Sequence, residues 1–525
     1  MQNAFNDKTT RDPKYILFLT LAVVLLLTIA FRVYRFSTWP IDIDEAFTPG
    51  ESLMVNGDTF SDYFTFKNNY HVHGPSGMKL EDIQNAVVKT YPMYYFLNGM
   101  IIKKLGVNTY SIRILSVVAS ILSVVLIFII CKYFISSECG LIACILYIAH
   151  PITQFHAQNA RFYSMVLLFS VLNMFLACVI RDRILFSKNM KYNNILLSVF
   201  ASLMGISMLV HGSAVFSLVF VLVVFIDILR NVGLLEFINR TKYFFLVFLC
   251  FSFFIAYNNI MFFYSRMAIN TNFIAAVGGS EARNLFHAIS SMVFNFGIHY
   301  WLLIPLSIWV YIKEEGGIFR IFFISFVASL IVYTVLARFS AETRVDYIYT
   351  VIPIFLILIG MTIIRSIEIL SDSNEKYKNY AKIFVSAYLV ALAFPGFWSN
   401  LTVDGGRYNW TEAYEHVKSQ DIRNGGKNKF VVYTSSPGNI SMYGTPDEMD
   451  RVRQIRTMEI PPDERESSNI YFIIPLSRTG FDMRTLSSDR QRYIFDNSKL
   501  MKIVGKNRYD LHVYKLAILK FDNRP

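Results

Sequence analysis

What most constrains this chain is its series of long apolar runs. Tyr15–Phe36, Ser111–Tyr133 and later stretches each hold about 20 mostly apolar residues, enough for a helix to cross about 30 Å of hydrocarbon. Charged residues make up 17% of the 525 positions, where a soluble domain carries about a quarter. The class is therefore an α-helical polytopic membrane protein. The formal charge of +12 does not point to nucleic acid, because Lys and Arg gather in short loops beside the apolar runs and act there as topology determinants.

Charge distribution sets the expected topology. Lys8, Arg11 and Lys14 keep the N-terminus cytoplasmic, and the first apolar run is too long for a cleavable signal peptide. A long outer loop, 37–109, follows. Its apolar stretch Tyr91–Leu105 is short and ends in Lys103-Lys104, so it is expected to lie flat on the outer surface. With that segment flat, every later loop obeys the positive-inside rule. Spans are then expected near 111–133, 139–155, 161–180, 193–210, 213–229, 243–265, 286–312, 317–337, 346–364 and 382–398, about eleven in all with the first. An odd number places residues 400–525 outside. That region changes character: NWTEAYEHVKSQ reads as an amphipathic helix, and KFVVYTSS, NIYFIIPL and DLHVYKLAIL read as strands of a small α/β domain. The five cysteines all precede it, so it has no disulfide framework.

The residues able to carry chemistry collect at outer ends of spans. Asp44-Glu45, in WPIDIDEAF, follows the first span and is either a solvated loop pair or a partly desolvated acid–base site. Arg161, in QNARFYS, either snorkels to the interface or presents a guanidinium fork to a phosphate, with His156 and Tyr163 beside it. Arg338, Glu342, Arg344 and Asp346 form a second charged cluster, in which Arg344 stands just before a descending span. Lys89 is a further phosphate candidate. His71 and His73 form a His-x-His pair that leaves a divalent metal open, although no third ligand is evident; a polar loop contacting substrate is the plainer reading.

The ordered series of these motifs resembles the polytopic GT-C glycosyltransferases, in the bacterial branch related to protein O-mannosyltransferases and lipid A aminoarabinose transferases. The series comprises Asp44-Glu45 after one helix, KTYPMYYFLNGMIIKKLGVNTYSIRILS, HPITQFHAQNARFYS, TRVDYIYTVIPIF and an NWTEAYEHV start to an outer domain. The resemblance covers nearly the whole chain. Asn159 stands where the family often has Glu, and Tyr91 where it often has Pro. It implies a GT-C catalytic domain over 1–399, with interfacial helices in 37–109, and an extracytoplasmic α/β domain over 400–525. It also implies transfer of a sugar from a polyprenyl-phosphate donor to a glycan, lipid or protein acceptor on the outer side of a bacterial inner membrane. Asp44 would be the general base and Glu45 would orient acceptor or sugar. Arg161, Arg344 and Lys89 would bind the donor phosphate, and His71, His73, His156, Tyr163 and Arg338 would contact substrate. The alternative is a transporter or flippase of a lipid-linked glycan. It predicts ionisable residues in mid-membrane and a two-fold repeat, neither of which is visible in the sequence.

Overall fold

The computed structural model describes residues 13–34, 45, 48–55, 92–186, 190–253, 293, 296–314, 317–339, 349–371, 387–391, 393–394, 410–423, 430–434, 452–454, 469–477, 480–481, 498–507 and 513–521. The membrane part comprises α1 (Pro13–Val33), α2 (Thr48–Val55), α3 (Pro92–Leu105), α4 (Thr109–Phe134), α5 (Ser137–Ala149), α6 (Pro151–Ala157), α7 (Tyr163–Phe186), α8 (Met190–Val210) and α9 (Val215–Val232). A helical run over 234–253 follows, then α10 (Ile304–Lys313), α11 (Ile318–Phe339) and α12 (Ile352–Ser371).

Among the described residues six helices are long and apolar enough to cross a membrane, or seven if the bent pair α5–α6 is one span. The other expected spans fall on shorter helices, such as α10, or run into residues outside the description. Helix α3 has 14 residues, a length of about 21 Å that falls short of the hydrocarbon thickness. Gly106, at φ 74°, ends it in the left-handed region that glycine favours. Lys103 and Lys104 in its last turn suit the negative end of the helix dipole.

Helix α4 is the hub and packs against α1, α3, α5 and α7. Helix α12 is enclosed by α5, α10 and α11. It approaches α5 closely because residue 360 is glycine: a Cβ there would lie 3.2 Å from both the Cys139 carbonyl oxygen and Sγ. Some polar side chains inside the bundle bond across helices, as in Ser307 with Thr362 at 2.8 Å between α10 and α12, and Asn173 donating to Ser217 at 3.3 Å. Leu122, Leu222, Leu249, Phe253 and Ile331 point outward, as lipid-facing side chains do.

The C-terminal region forms a sheet in the order β2-β1-β3-β6-β5, with β4 off β3. Its strands are β1 (Phe430–Thr434), β2 (Val452–Gln454), β3 (Asn469–Ser477), β4 (Gly480–Phe481), β5 (Ser498–Asn507) and β6 (Val513–Phe521). The first three in that order run parallel, and β6 pairs antiparallel with β3 and β5. Helix α13 (Trp410–Arg423) packs on β3 and β6, burying Trp410, Ala413, Tyr414 and Val417 along one helical stripe. The helix and three of the strands lie where the sequence pattern places them; the boundary near residue 400 lies outside the described residues.

Replacing Gly360 by Leu forces α5 and α12 apart. The expected cost is about 1–3 kcal/mol, seen as a lower unfolding midpoint of the detergent-solubilised protein.

Candidate active site

The site is built around a bend. Helix α5 ends at His150, Pro151 opens α6, and the two axes differ by 68°. The bend carries Gln154 and Gln158 under the C-terminal end of α1, whose last carbonyls lack helical donors. Gln154 Nε2 donates to the Phe31 carbonyl at 2.5 Å, and Gln158 Nε2 donates to the carbonyls of Arg32 at 3.0 Å and Tyr34 at 2.8 Å. The buried Arg32 guanidinium donates to the Tyr147 carbonyl, Thr153 Oγ1 and Gln154 Oε1. The turn 158–162 is thereby held at the C-terminal end of α1.

The segment after α1 clasps this turn. Glu45 is fully buried and accepts two hydrogen bonds from the equally buried Arg113, from Nε and Nη2, each 2.8 Å. Glu45 Oε1 also accepts from the Ala160 amide at 2.6 Å, while Thr48 Oγ1 donates to the Ala160 carbonyl at 2.6 Å. Both main-chain groups of Ala160 are thus satisfied by the 45–48 segment. Arg113 reaches this position because α4 starts with a capping box, Asn108 with Ser111, which places the arginine in its first turns.

Arg161 follows directly. Its Nη1 donates to Glu51 Oε2 of α2 at 3.0 Å, and its guanidinium lies over the Phe162 ring, 5.3 Å from the centroid. The Arg161 side chain is 14% exposed against 1% for Glu51, so the arginine borders the surface and the carboxylate does not. The Arg161 carbonyl accepts from Ser116 Oγ of α4 at 3.2 Å, and that hydroxyl lies 3.2 Å from Tyr94 Oη of α3. Burial pushes the Tyr94 phenol above its ordinary range, which keeps it protonated. Asn98 Nδ2 donates to Ser52 Oγ at 3.4 Å, joining α3 to α2.

Beside Arg161 lies a cluster of rings. His156 packs 4.5 Å from Tyr163 and 4.3 Å from Tyr349, and Phe162 stacks on His211 at 4.0 Å and 10°. His211 Nδ1 is 2.9 Å from Ser213 Oγ. His156 is 2% exposed, so rings rather than solvent face it.

Glu45, Arg161, His156 and Tyr163 therefore come together. Arg338 lies in the last turn of α11, and Asp44, His71, His73, Lys89 and Arg344 lie outside the described residues. Among the described residues no group of three His, Cys, Asp or Glu side chains gathers as a metal site. The sequence reading passed over Arg113, Thr48, Glu51, His211 and Tyr349 as site residues. Two signals were present: an arginine near the start of an apolar run requires a partner, and Thr48-x-x-Glu51 has capping-box spacing.

Residues 51–268 match the family model described as dolichyl-phosphate-mannose-protein mannosyltransferase, a stretch that includes Arg113 and Arg161 and begins after Asp44-Glu45. No curated protein matches the chain in sequence. Among solved structures, ArnT from Cupriavidus metallidurans bound to undecaprenyl phosphate is similar at TM-score 0.55 and 10% identity, over 98% of this chain and 99% of that one. Its apo state gives 0.54 and 12%, over 97% and 98%. The archaeal oligosaccharyltransferase AglB from Archaeoglobus fulgidus, in complex with an inhibitory peptide and a dolichol-phosphate, gives 0.50 and 8%, over 88% of this chain and 69% of that chain. The fold is that of the GT-C glycosyltransferases, as the sequence motifs imply.

Removing one member of the Glu45–Arg113 pair leaves a buried charge uncompensated. Arg113→Met and Glu45→Gln are each expected to cost about 3–5 kcal/mol, and the double variant less than their sum. Unfolding midpoints of the four proteins in one detergent measure this coupling.

Proposed function

We propose that this protein is a multi-pass membrane glycosyltransferase that moves a sugar from a polyprenyl-phosphate donor to an acceptor hydroxyl at the outer face. The observation that supports the reading is the partly exposed Arg161 side chain, held at the head of α7 by the same turn that anchors Glu45. Two similarities support it: the family match over 51–268, and the likeness in fold to an ArnT holding undecaprenyl phosphate.

In this mechanism Asp44 takes the proton of the acceptor hydroxyl. The oxygen attacks the anomeric carbon as the bond to the phosphate oxygen breaks, with inversion, and the electron pair leaves on the phosphate. A diester with one negative charge becomes a monoester with nearly two. Arg161, with Arg344 and Lys89, therefore stabilises the departing group more than the bound donor, and that difference lowers the barrier. Arg344 precedes Tyr349 by five positions, and Tyr349 packs beside His156 and Tyr163 next to Arg161. Glu45 was expected to orient acceptor or sugar. Its contacts to Arg113 and Ala160 favour another task, fixing the main chain one peptide from Asp44. His71, His73, His156, Tyr163 and Arg338 remain the proposed substrate contacts. The positive-inside count supports an extracytoplasmic position for the site and residues 400–525, and the likeness in fold to an ArnT supports a bacterial inner membrane.

The test is transfer by purified wild type, Asp44→Asn and Arg161→Gln, using labelled polyprenyl-phosphate sugars and membrane extract as acceptor, with donor binding followed in parallel. Asp44→Asn should lose about 10²–10⁴-fold in rate while still binding donor. Arg161→Gln should lose about 10²–10³-fold in rate. Wild type that binds a donor but transfers nothing would favour the transport alternative, and equal transfer by Asp44→Asn would remove Asp44 from the chemistry.

A further inference from the structure

Two ion pairs join the outer segment to the membrane body, and they differ in kind. Glu45 and Arg113 are both fully enclosed, and the carboxylate also holds the Ala160 amide. Arg161 Nη1 donates to Glu51 Oε2 at 3.0 Å, and the arginine side chain is 14% exposed. The first pair is fully enclosed; the second borders the surface.

We infer that Glu51 is a positioning residue acting through Arg161, a counter-ion that competes with the donor phosphate for the guanidinium. This rests on the reading of Arg161 as a donor-phosphate ligand. A carboxylate and a phosphate present similar oxygen edges to a guanidinium and draw on one set of donors. A carboxylate within a few ångströms also repels a phosphate in proportion to its charge. The repulsion is therefore greater for the polyprenyl phosphate that leaves than for the diester that enters. Glu51 accordingly weakens product binding more than donor binding and speeds product release. Family match and fold likeness assign no such role to this position.

The experiment uses the full-length protein in lipid nanodiscs, with undecaprenyl phosphate as probe and steady-state transfer measured alongside. Glu51→Gln should bind the probe about tenfold more tightly than wild type, with kcat and KM both lowered. Arg161→Gln placed in the same chain should abolish that gain. Glu51→Asp keeps the charge but shortens its reach, so its affinity should fall between wild type and Glu51→Gln; it serves as the measure if Glu51→Gln fails to fold. Affinity unchanged or weaker in the Glu51 variants, with wild type binding normally, would overturn the competition. Wild type that binds no undecaprenyl phosphate would instead sink the phosphate-site reading of Arg161, and this inference with it.

Discussion

The enclosed Glu45–Arg113 pair is the interaction on which the outer architecture depends. An arginine near the start of an apolar helix is costly to bury unless a partner neutralises it and its donors are met. Glu45 neutralises the charge and accepts from Nε and Nη2, and a further lone pair of Oε1 accepts the amide of Ala160. One carboxylate thus ties three parts of the chain: the segment after α1, the beginning of α4 and the turn before α7. With that knot in place Thr48 can cap the Ala160 carbonyl, α2 lies against α3, and Glu51 comes within reach of Arg161. The region's remaining contacts, from Ser116, Tyr94 and Asn98, bond within this frame rather than create it.

Much of the architecture was legible because it rests on local pattern. Apolar length marks the spans, Pro151 after His150 marks the bend, Lys103-Lys104 marks the end of the short outer helix, and the spacing of Trp410, Tyr414 and Val417 marks an amphipathic face. What escaped is long-range. Glu45 and Arg113 are 68 residues apart and Arg161 and Glu51 are 110 apart, so no periodicity links them. Arg113 heads the apolar run 111–133 and Glu51 lies in the long loop 37–109, and neither position names its partner. In the sheet, β2 and β4 are too short to leave an alternation, while β5 lies at the sheet edge with lysines among its apolar residues and a bulge near Leu500. The count of about eleven spans followed from loop charge, which fixes orientation but says little about how a helix breaks, as between Ile298–Trp301 and α10.

The position of the polar groups also bears on mechanism. The side chains that meet around Arg161 come from helix ends and the turns between them, while the middle of the bundle, among the described residues, is mostly apolar with scattered hydroxyls and amides, some bonded to one another. That distribution suits chemistry at the boundary, where a carrier's phosphate sits at headgroup depth and its isoprenoid tail remains in hydrocarbon. It suits movement of a polar cargo across the bilayer less well, since that would call for hydrophilic surface along the path.

Several of the clasp's contacts end on main-chain atoms: the Ala160 amide and carbonyl, and the carbonyls of Arg161, Phe31, Arg32, Tyr34 and Tyr147. A peptide group is the same whatever side chain it bears. On that side of each contact the partner's identity is unconstrained, and only the path of the backbone has to persist. A clasp of this type can keep its shape through extensive sequence drift, which fits a chain sharing about a tenth of its residues with an ArnT of similar form.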